Sequence, residues 1–320
     1  MSLYVLVRFS SLGDVVLTTG LIEYLGQTQN HQAIVITKQA FAPIFKANPF
    51  VKQVYCLENQ SLLKLVKKII QEHGPIPLYD LHANLRAFIL KLLWPEKTFT
   101  YAKLVLARRL FLWSKGKIKL PGLNLNVPQR YARSFFKIPP SVEELKPRLY
   151  LLQQEKIWAS QKLTSLNLAP QKFILIHPYA SFSSKNWPKT FWQNYLKLLS
   201  KAQIPYLIIG KAKTPLDDQP FDLTNQTNLR QTIALIDQAG LVVSTDSGPL
   251  HLAWGLNKPL LGIFGPSVKE WGFFPQGKNV TILQAPIKCR PCSLHGQKNC
   301  HHLTCLTQIT PEQVLTHTRL

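Results

Sequence analysis

Five residues capable of chemistry stand together near position 250: Asp246, Ser247, Gly248, Pro249 and His251. They follow the apolar run Leu241, Val242 and Val243, which reads as a buried strand. Pro249 suits a first helical turn, where its missing N–H costs nothing. Asp246 or Ser247 can cap the helix that follows. A helix starting beyond the C-terminal end of a parallel strand points its free N–H groups into a crevice, a ready site for phosphate or diphosphate. Without a ligand, the same stretch is an ordinary capped strand–turn–helix. A second set follows the apolar residues 173–177: the hydroxyls of Ser181, Ser183 and Ser184, then Lys185. Hydroxyls and an ammonium beside a strand end suit diphosphate oxygens, although a plain surface loop fits the same residues. The third candidate is Asp14, placed after an apolar strand over 3–7 and a glycine turn. It is either a carboxylate facing a crevice, able to act as a base, or an acid that favours the dipole of its helix.

The elements that must position these residues alternate along the chain. Helical spacing over 15–25 follows the first strand. A strand over 33–37, an amphipathic helix over 61–73 and a strand starting at Leu78 come next. Residues 139–147 are turn-rich, and the domain boundary is expected just after them, giving domains 1–150 and 151–320. The second half reads as a helix over 153–168, strands over 173–177, 206–210, 241–245 and 259–264, helices over 190–201 and 229–239, and a last short helix over 311–315. Alternating strand and helix with near-continuous apolar strands indicates parallel α/β domains. The first turn has one glycine, not the three of a dinucleotide fingerprint.

The chain has 320 residues, with 38 Lys and Arg against 16 Asp and Glu, a net charge of +22. That excess implies an anionic partner. From Arg86 to Lys137 there are twelve basic residues and one acid, Glu96, with aromatic residues interleaved. A docking face for an anionic membrane or glycolipid and a merely solvated basic face both fit this run. No window is long and apolar enough to cross a bilayer. The first residues enter a strand directly and lack signal-peptide character, so a cytoplasmic protein is expected, docked on an anionic membrane surface where the basic run is a docking face. Four of the five cysteines, Cys289, Cys292, Cys300 and Cys305, lie near the end, with His295, His301 and His302 beside them. They are either a zinc set or small thiols closing an irregular tail. Their last spacings match no common zinc ribbon, and the expectation is that no metal is held.

In this order and spacing, several short motifs resemble glycosyltransferase family 9, the ADP-heptose:lipopolysaccharide heptosyltransferases. They are Ser11-Leu12-Gly13-Asp14, Asp80-Leu81-His82 with Arg86, Lys185-Asn186-Trp187-Pro188, residues 246–253, Phe264-Gly265-Pro266 and Cys289-Arg290-Pro291-Cys292. The resemblance runs nearly the whole chain. It implies a GT-B architecture: an N-terminal acceptor domain and a C-terminal nucleotide-sugar domain, both Rossmann-like, facing across a cleft. It implies inverting, metal-independent transfer of heptose from ADP-heptose to a Kdo–lipid A or heptosylated core, without a cofactor. Asp14 then matches the general base. Lys185 and Ser181 match residues at the diphosphate and donor sugar. Asp246 matches a contact to sugar hydroxyls, with Ser247, Gly248 and Pro249 at the diphosphate and His251 close behind. Arg86, Arg108 and Arg109 are expected to meet the anionic acceptor. One departure stands out: the family usually places an acid shortly after the glycine that ends the 206–210 strand, where this chain reads Gly210-Lys211-Ala212-Lys213. Two alternatives remain. One is a transferase of this architecture with another nucleotide sugar or acceptor. The other is a basic nucleic-acid-binding protein, although no nucleic-acid-binding motif carries the charge.

Overall fold

A computed structural model describes residues 2–58, 61–216, 221–294, 296, 300 and 302–318. The chain divides into two units, Met1–Leu104 with Leu125–Tyr150, and Val105–Asn124 with Leu151–Leu320. In order, the elements are β1 (Ser2–Val7), α1 (Leu12–Gln29), β2 (His31–Thr37), β3 (Val51–Cys56), α2 (Leu62–His73), β4 (Leu78–Asp80), α3 (Leu85–Leu92) and β5 (Thr98–Thr100). Next come α4 (Val105–Trp113), which belongs to the second unit, and α5 (Val127–Ala132), which returns to the first. The second unit continues with α6 (Gln153–Ser165), β6 (Ile174–His177), α7 (Lys189–Lys201), β7 (Tyr206–Ile208), α8 (Leu229–Gln238), β8 (Leu241–Thr245), α9 (Gly248–Gly255), β9 (Leu260–Phe264), β10 (Val280–Gln284), α10 (Thr304–Thr307) and α11 (Pro311–Thr316).

The first unit is built on a parallel sheet in the order β3-β2-β1-β4-β5. From β1 the chain winds outward through β2 and β3, then returns to lay β4 on the other side of β1. The strand order therefore reverses between β1 and β4, and the C-terminal ends of those strands open a crevice. α1 is apolar nearly all round and buried along most of its length, as a helix enclosed by its unit must be. Gly20 allows that enclosure: a Cβ there would lie 2.0 Å from the carbonyl oxygen of Leu145.

The second unit repeats the scheme with a parallel sheet in the order β10-β9-β8-β6-β7. Its reversal lies between β6 and β8, with His177 and Ser244 paired at the strand ends. Every residue of β6, β8 and β9 is buried, which accounts for their unbroken apolar runs. The basic stretch Val105–Asn124, expected in the first domain, belongs here instead. The reason lies in α4, where Phe111 meets the ring of buried Trp271 edge-on at 5.6 Å.

Candidate active site

Asp14 occupies the third position of α1, just beyond the end of β1 and therefore at the reversal point of the first sheet. Its Oδ1 meets Arg8 Nη2 at 2.7 Å and accepts the Tyr131 hydroxyl at 3.0 Å. Its Oδ2 accepts from the Ser11 hydroxyl at 2.9 Å and from the Ser11 backbone N–H at 3.4 Å. Burial pushes this carboxyl up, but Arg8, Ser11 and Tyr131 together outweigh it and hold Asp14 below the ordinary carboxylate range. On the neighbouring strand, Asp80 is fully buried and folds the next turn, accepting from the N–H groups of His82 at 2.9 Å and Ala83 at 2.7 Å. His82 packs on Phe9 and is held down to about 4, by burial first and then by Arg8 and Lys103. Arg86 lies exposed in the first turn of α3.

In the second unit, the loop after β6 and the turn after β8 converge on Asp246. Lys185 Nζ lies 2.7 Å from Asp246 Oδ2, and the Ser267 hydroxyl donates to the same oxygen at 2.5 Å. Arg290 in turn donates to the carbonyl of Ser267, and to that of Ala285 at 3.0 Å. Burial raises the Asp246 carboxyl, but Lys185, Ser267 and His251 bring it below the ordinary value. Neighbouring residues explain how Lys185 is presented. Asn186 closes the loop by accepting from the Ala180 N–H at 2.6 Å. Trp187 is sunk in the core and donates to the carbonyl of Ile309 at 2.9 Å. Ser181 stays exposed on this loop.

Ser247 stands at the N-cap of α9 but does not cap it. Its hydroxyl turns instead to Nδ1 of His177, 3.0 Å away, and to the carbonyl of Thr245 at 3.2 Å. The expectation that Ser247 or Asp246 caps this helix therefore fails, because Ser247 is drawn to His177 on β6 and Asp246 to Lys185 and Ser267 in the loops after β6 and β9. α9 accordingly has no side-chain cap, which leaves its first amides facing the reversal point of the second sheet. His177 is held down to about 3 by burial and is neutral at physiological pH. His251 is buried one turn into α9, near Phe273.

After Gly210, where the resembled family usually places an acid, the chain carries Lys211 and Lys213. Asn225 brackets Ala212, receiving its N–H at 3.1 Å and donating to its carbonyl at 2.7 Å. Gly210 has φ +141°, and a Cβ would lie 2.4 Å from the Tyr179 ring. Only glycine meets both conditions.

Arg108 and Arg109 do not share a face. The Arg108 guanidinium lies over the Trp271 ring, 5.3 Å from its centroid, whereas Arg109 is exposed. Cys289 is exposed, Cys292 and Cys300 are half-buried, and Cys305 is buried in the core of the second unit, its thiol pushed up to about 11, mainly by burial. No three His, Cys, Asp or Glu residues gather to hold a metal among the described residues. His295 and His301 lie outside them.

Two parallel sheets, each with a paired carboxylate at its own reversal point, define the fold, and comparison with known proteins decides the family. The sequence profile of glycosyltransferase family 9 (heptosyltransferase) matches residues 129–302. The chain belongs to glycosyltransferase family 9. It is 28% identical over 213 residues to lipooligosaccharide heptosyltransferase 2 of Haemophilus influenzae, a match covering 58% of this chain and 60% of that relative's length. Two solved structures share the GT-B fold along almost the whole chain. One is the family 9 glycosyltransferase of Veillonella parvula, at 16% identity and TM-score 0.76, covering 99% of this chain and 95% of that one. The other is ADP-heptose lipopolysaccharide heptosyltransferase II of Escherichia coli, at 20% identity and TM-score 0.74, covering 99% and 97%.

Proposed function

We propose that this member of the family is an inverting, metal-independent heptosyltransferase. It moves heptose from ADP-heptose to the inner core of lipopolysaccharide, either Kdo–lipid A or an already heptosylated core. The observation that carries this reading is the second unit's reversal point, where an uncapped helix N-terminus lies beside the Lys185–Asp246 pair. Free amides and an ammonium suit a diphosphate leaving group and offset the charge that grows on it. Asp246, Ser247, Gly248, Pro249, Ser181 and His251 then surround the donor. Asp14 of the first unit takes the proton of the acceptor hydroxyl. The reaction needs no cofactor, since the ADP-sugar is itself a substrate. The test is ADP release from ADP-heptose in the presence of acceptors truncated at successive core positions. Release dependent on one acceptor length is expected. No release with any of them, but release with another nucleotide sugar, would reassign the donor.

The acceptor is anchored in a membrane, and the surface agrees with peripheral docking from the cytoplasmic side. No helix among the described residues is long and apolar enough to cross a bilayer. In the first unit, α3 turns Leu85, Phe88, Ile89 and Leu92 to solvent, with Leu85 75% and Leu92 69% exposed. That i, i+3, i+4, i+7 spacing is an apolar stripe where a solvated face would be polar, and Arg86 lies beside it. In the second unit, α4 exposes Leu106, Leu110 and Trp113 around Arg109. Such helices seat apolar residues at the headgroups while their bases meet anionic lipid. Sedimentation with phosphatidylglycerol vesicles is expected to pull the protein down at low salt and release it at high salt. Arg86→Glu with Arg109→Glu should weaken binding by more than about 30-fold, because each change loses about 1 kcal/mol of attraction and adds a repelled charge. A parent protein that stays in solution at low salt ends the docking proposal.

A further inference from the structure

The four contacts to Asp14 are unequal, and the inequality assigns roles to residues that no sequence motif contains. Resting on the reading of Asp14 as base, we propose that Arg8 and Tyr131 are positioning residues that saturate Oδ1 and so direct the acceptor proton to Oδ2. The two partners of Oδ1 are fixed. Arg8 is buried, and its other terminal nitrogen donates to the carbonyl of Leu81 at 2.5 Å. Its guanidinium also lies over the Tyr131 ring, 5.6 Å from the centroid. Tyr131 is fully buried on α5 and meets Tyr101 edge-on at 5.0 Å. α5 itself is pinned by a reciprocal cap between Asn126 and Gln129. Neither side chain can leave Oδ1 without unpacking its surroundings.

Oδ2 is different. Its partner Ser11 is exposed, its hydroxyl can rotate away, and its backbone contact is long. An acceptor hydroxyl can replace the serine hydroxyl there with no loss of hydrogen bonding. The step then balances. The acceptor oxygen bonds to the anomeric carbon, its proton passes to Oδ2, and the bond from that carbon to the diphosphate breaks with the electron pair staying on the leaving group. Arg8 and Tyr131 keep their hold on Oδ1 throughout, so the carboxyl does not turn as it is protonated. Orientation is what this arrangement supplies, because the same contacts keep Asp14 a weak equilibrium base.

Tyr131→Phe tests the assignment, since it deletes one contact to Oδ1 and keeps the ring. The groups facing Asp14 are Arg8, Ser11 and Tyr131, with Tyr101 against Arg8 and His82 nearby. His82 titrates in the same acid range, so pH profiles are compared in a His82→Gln background. Tyr131→Phe is expected to lower kcat by about 10-fold, the scale of a modest misplacement, with the KM for nucleotide sugar unchanged. The acid limb of kcat/KM should move up, because a contact favouring the carboxylate is gone. In an Asp14→Asn background the same substitution should have no further effect on kcat, since a residue that acts through Asp14 has nothing left to position. Arg8→Lys, which keeps the charge but loses the fork, is read by the same measurements if Tyr131→Phe does not fold. Parental kcat with an unmoved acid limb overturns the proposal, as does an undiminished effect in the Asp14→Asn background. Retained turnover in Asp14→Asn alone would instead overturn the base assignment.

Discussion

Asp14→Asn is expected to lower kcat by about 10²–10⁴-fold, the range for loss of a general base, while ADP binds as it does to the parent. The substitution keeps the shape of the side chain. The amide oxygen can still accept from Arg8 and Tyr131, but the amide NH2 in the place of Oδ2 no longer accepts from the Ser11 N–H at the entry to α1. What disappears is the negative charge and the capacity to take a proton. A cost in stability accompanies the change. Arg8 is buried, and losing one member of a buried pair costs about 3–5 kcal/mol. Activity must therefore be expressed per folded molecule, with thermal unfolding measured on the same sample. The pH dependence has a definite sign. Asp14 is held below the ordinary carboxylate value of about 3.9. The stability from its pairing is fully present above that value and is lost as pH falls through the lower, folded one. Single-turnover rates with saturating nucleotide sugar check the kinetic effect. Near-parental turnover by folded Asp14→Asn would take the base role from this residue.

The sequence is most legible where a strand is buried on both faces and followed by turn chemistry. β8 is read to the residue, and Asp14, Lys185 and Asp246 all fall at sheet reversal points. Strand edges left little trace. β5 is three exposed residues at the rim of the first sheet, and β10 is only partly buried at the rim of the second. Neither carries the alternation or the apolar run by which strands are recognised. The side chains that tune the carboxylates are also silent in one dimension. Tyr131 lies 117 residues from Asp14, and Ser267 reaches Asp246 from the end of a different strand. Ser247 shows the limit of local rules: N-cap propensity marked its position, but a long-range contact to His177 took its hydroxyl. Arg108 shows the same limit for charge patterning, since a basic run does not reveal which bases fold back onto an aromatic ring.

Gly248→Val is expected to weaken ADP binding by about 10–100-fold, the equivalent of one hydrogen bond to a charged group. Gly248 opens α9, and because Pro249 has no N–H, the first-turn amides are those of Gly248 and Leu250. A valine side chain at this point blocks the approach of phosphate to them. The backbone does not forbid the change, because Gly248 is not among the glycines with positive φ, so the fold should survive and the loss should appear in binding. Lys185→Met separates charge from access. It removes the cation 2.7 Å from Asp246 and leaves that buried carboxylate without its counter-charge. The single variant should therefore lose both ADP affinity and stability, by about 3–5 kcal/mol for the latter. Adding Asp246→Asn removes the stranded charge and should restore much of the stability without restoring ADP binding. Calorimetric titration of ADP, paired with thermal unfolding, reads the two effects independently. If Gly248→Val and the double variant both bind ADP as tightly as the parent, the diphosphate is held elsewhere, and the reversal point of the second sheet is not the donor site.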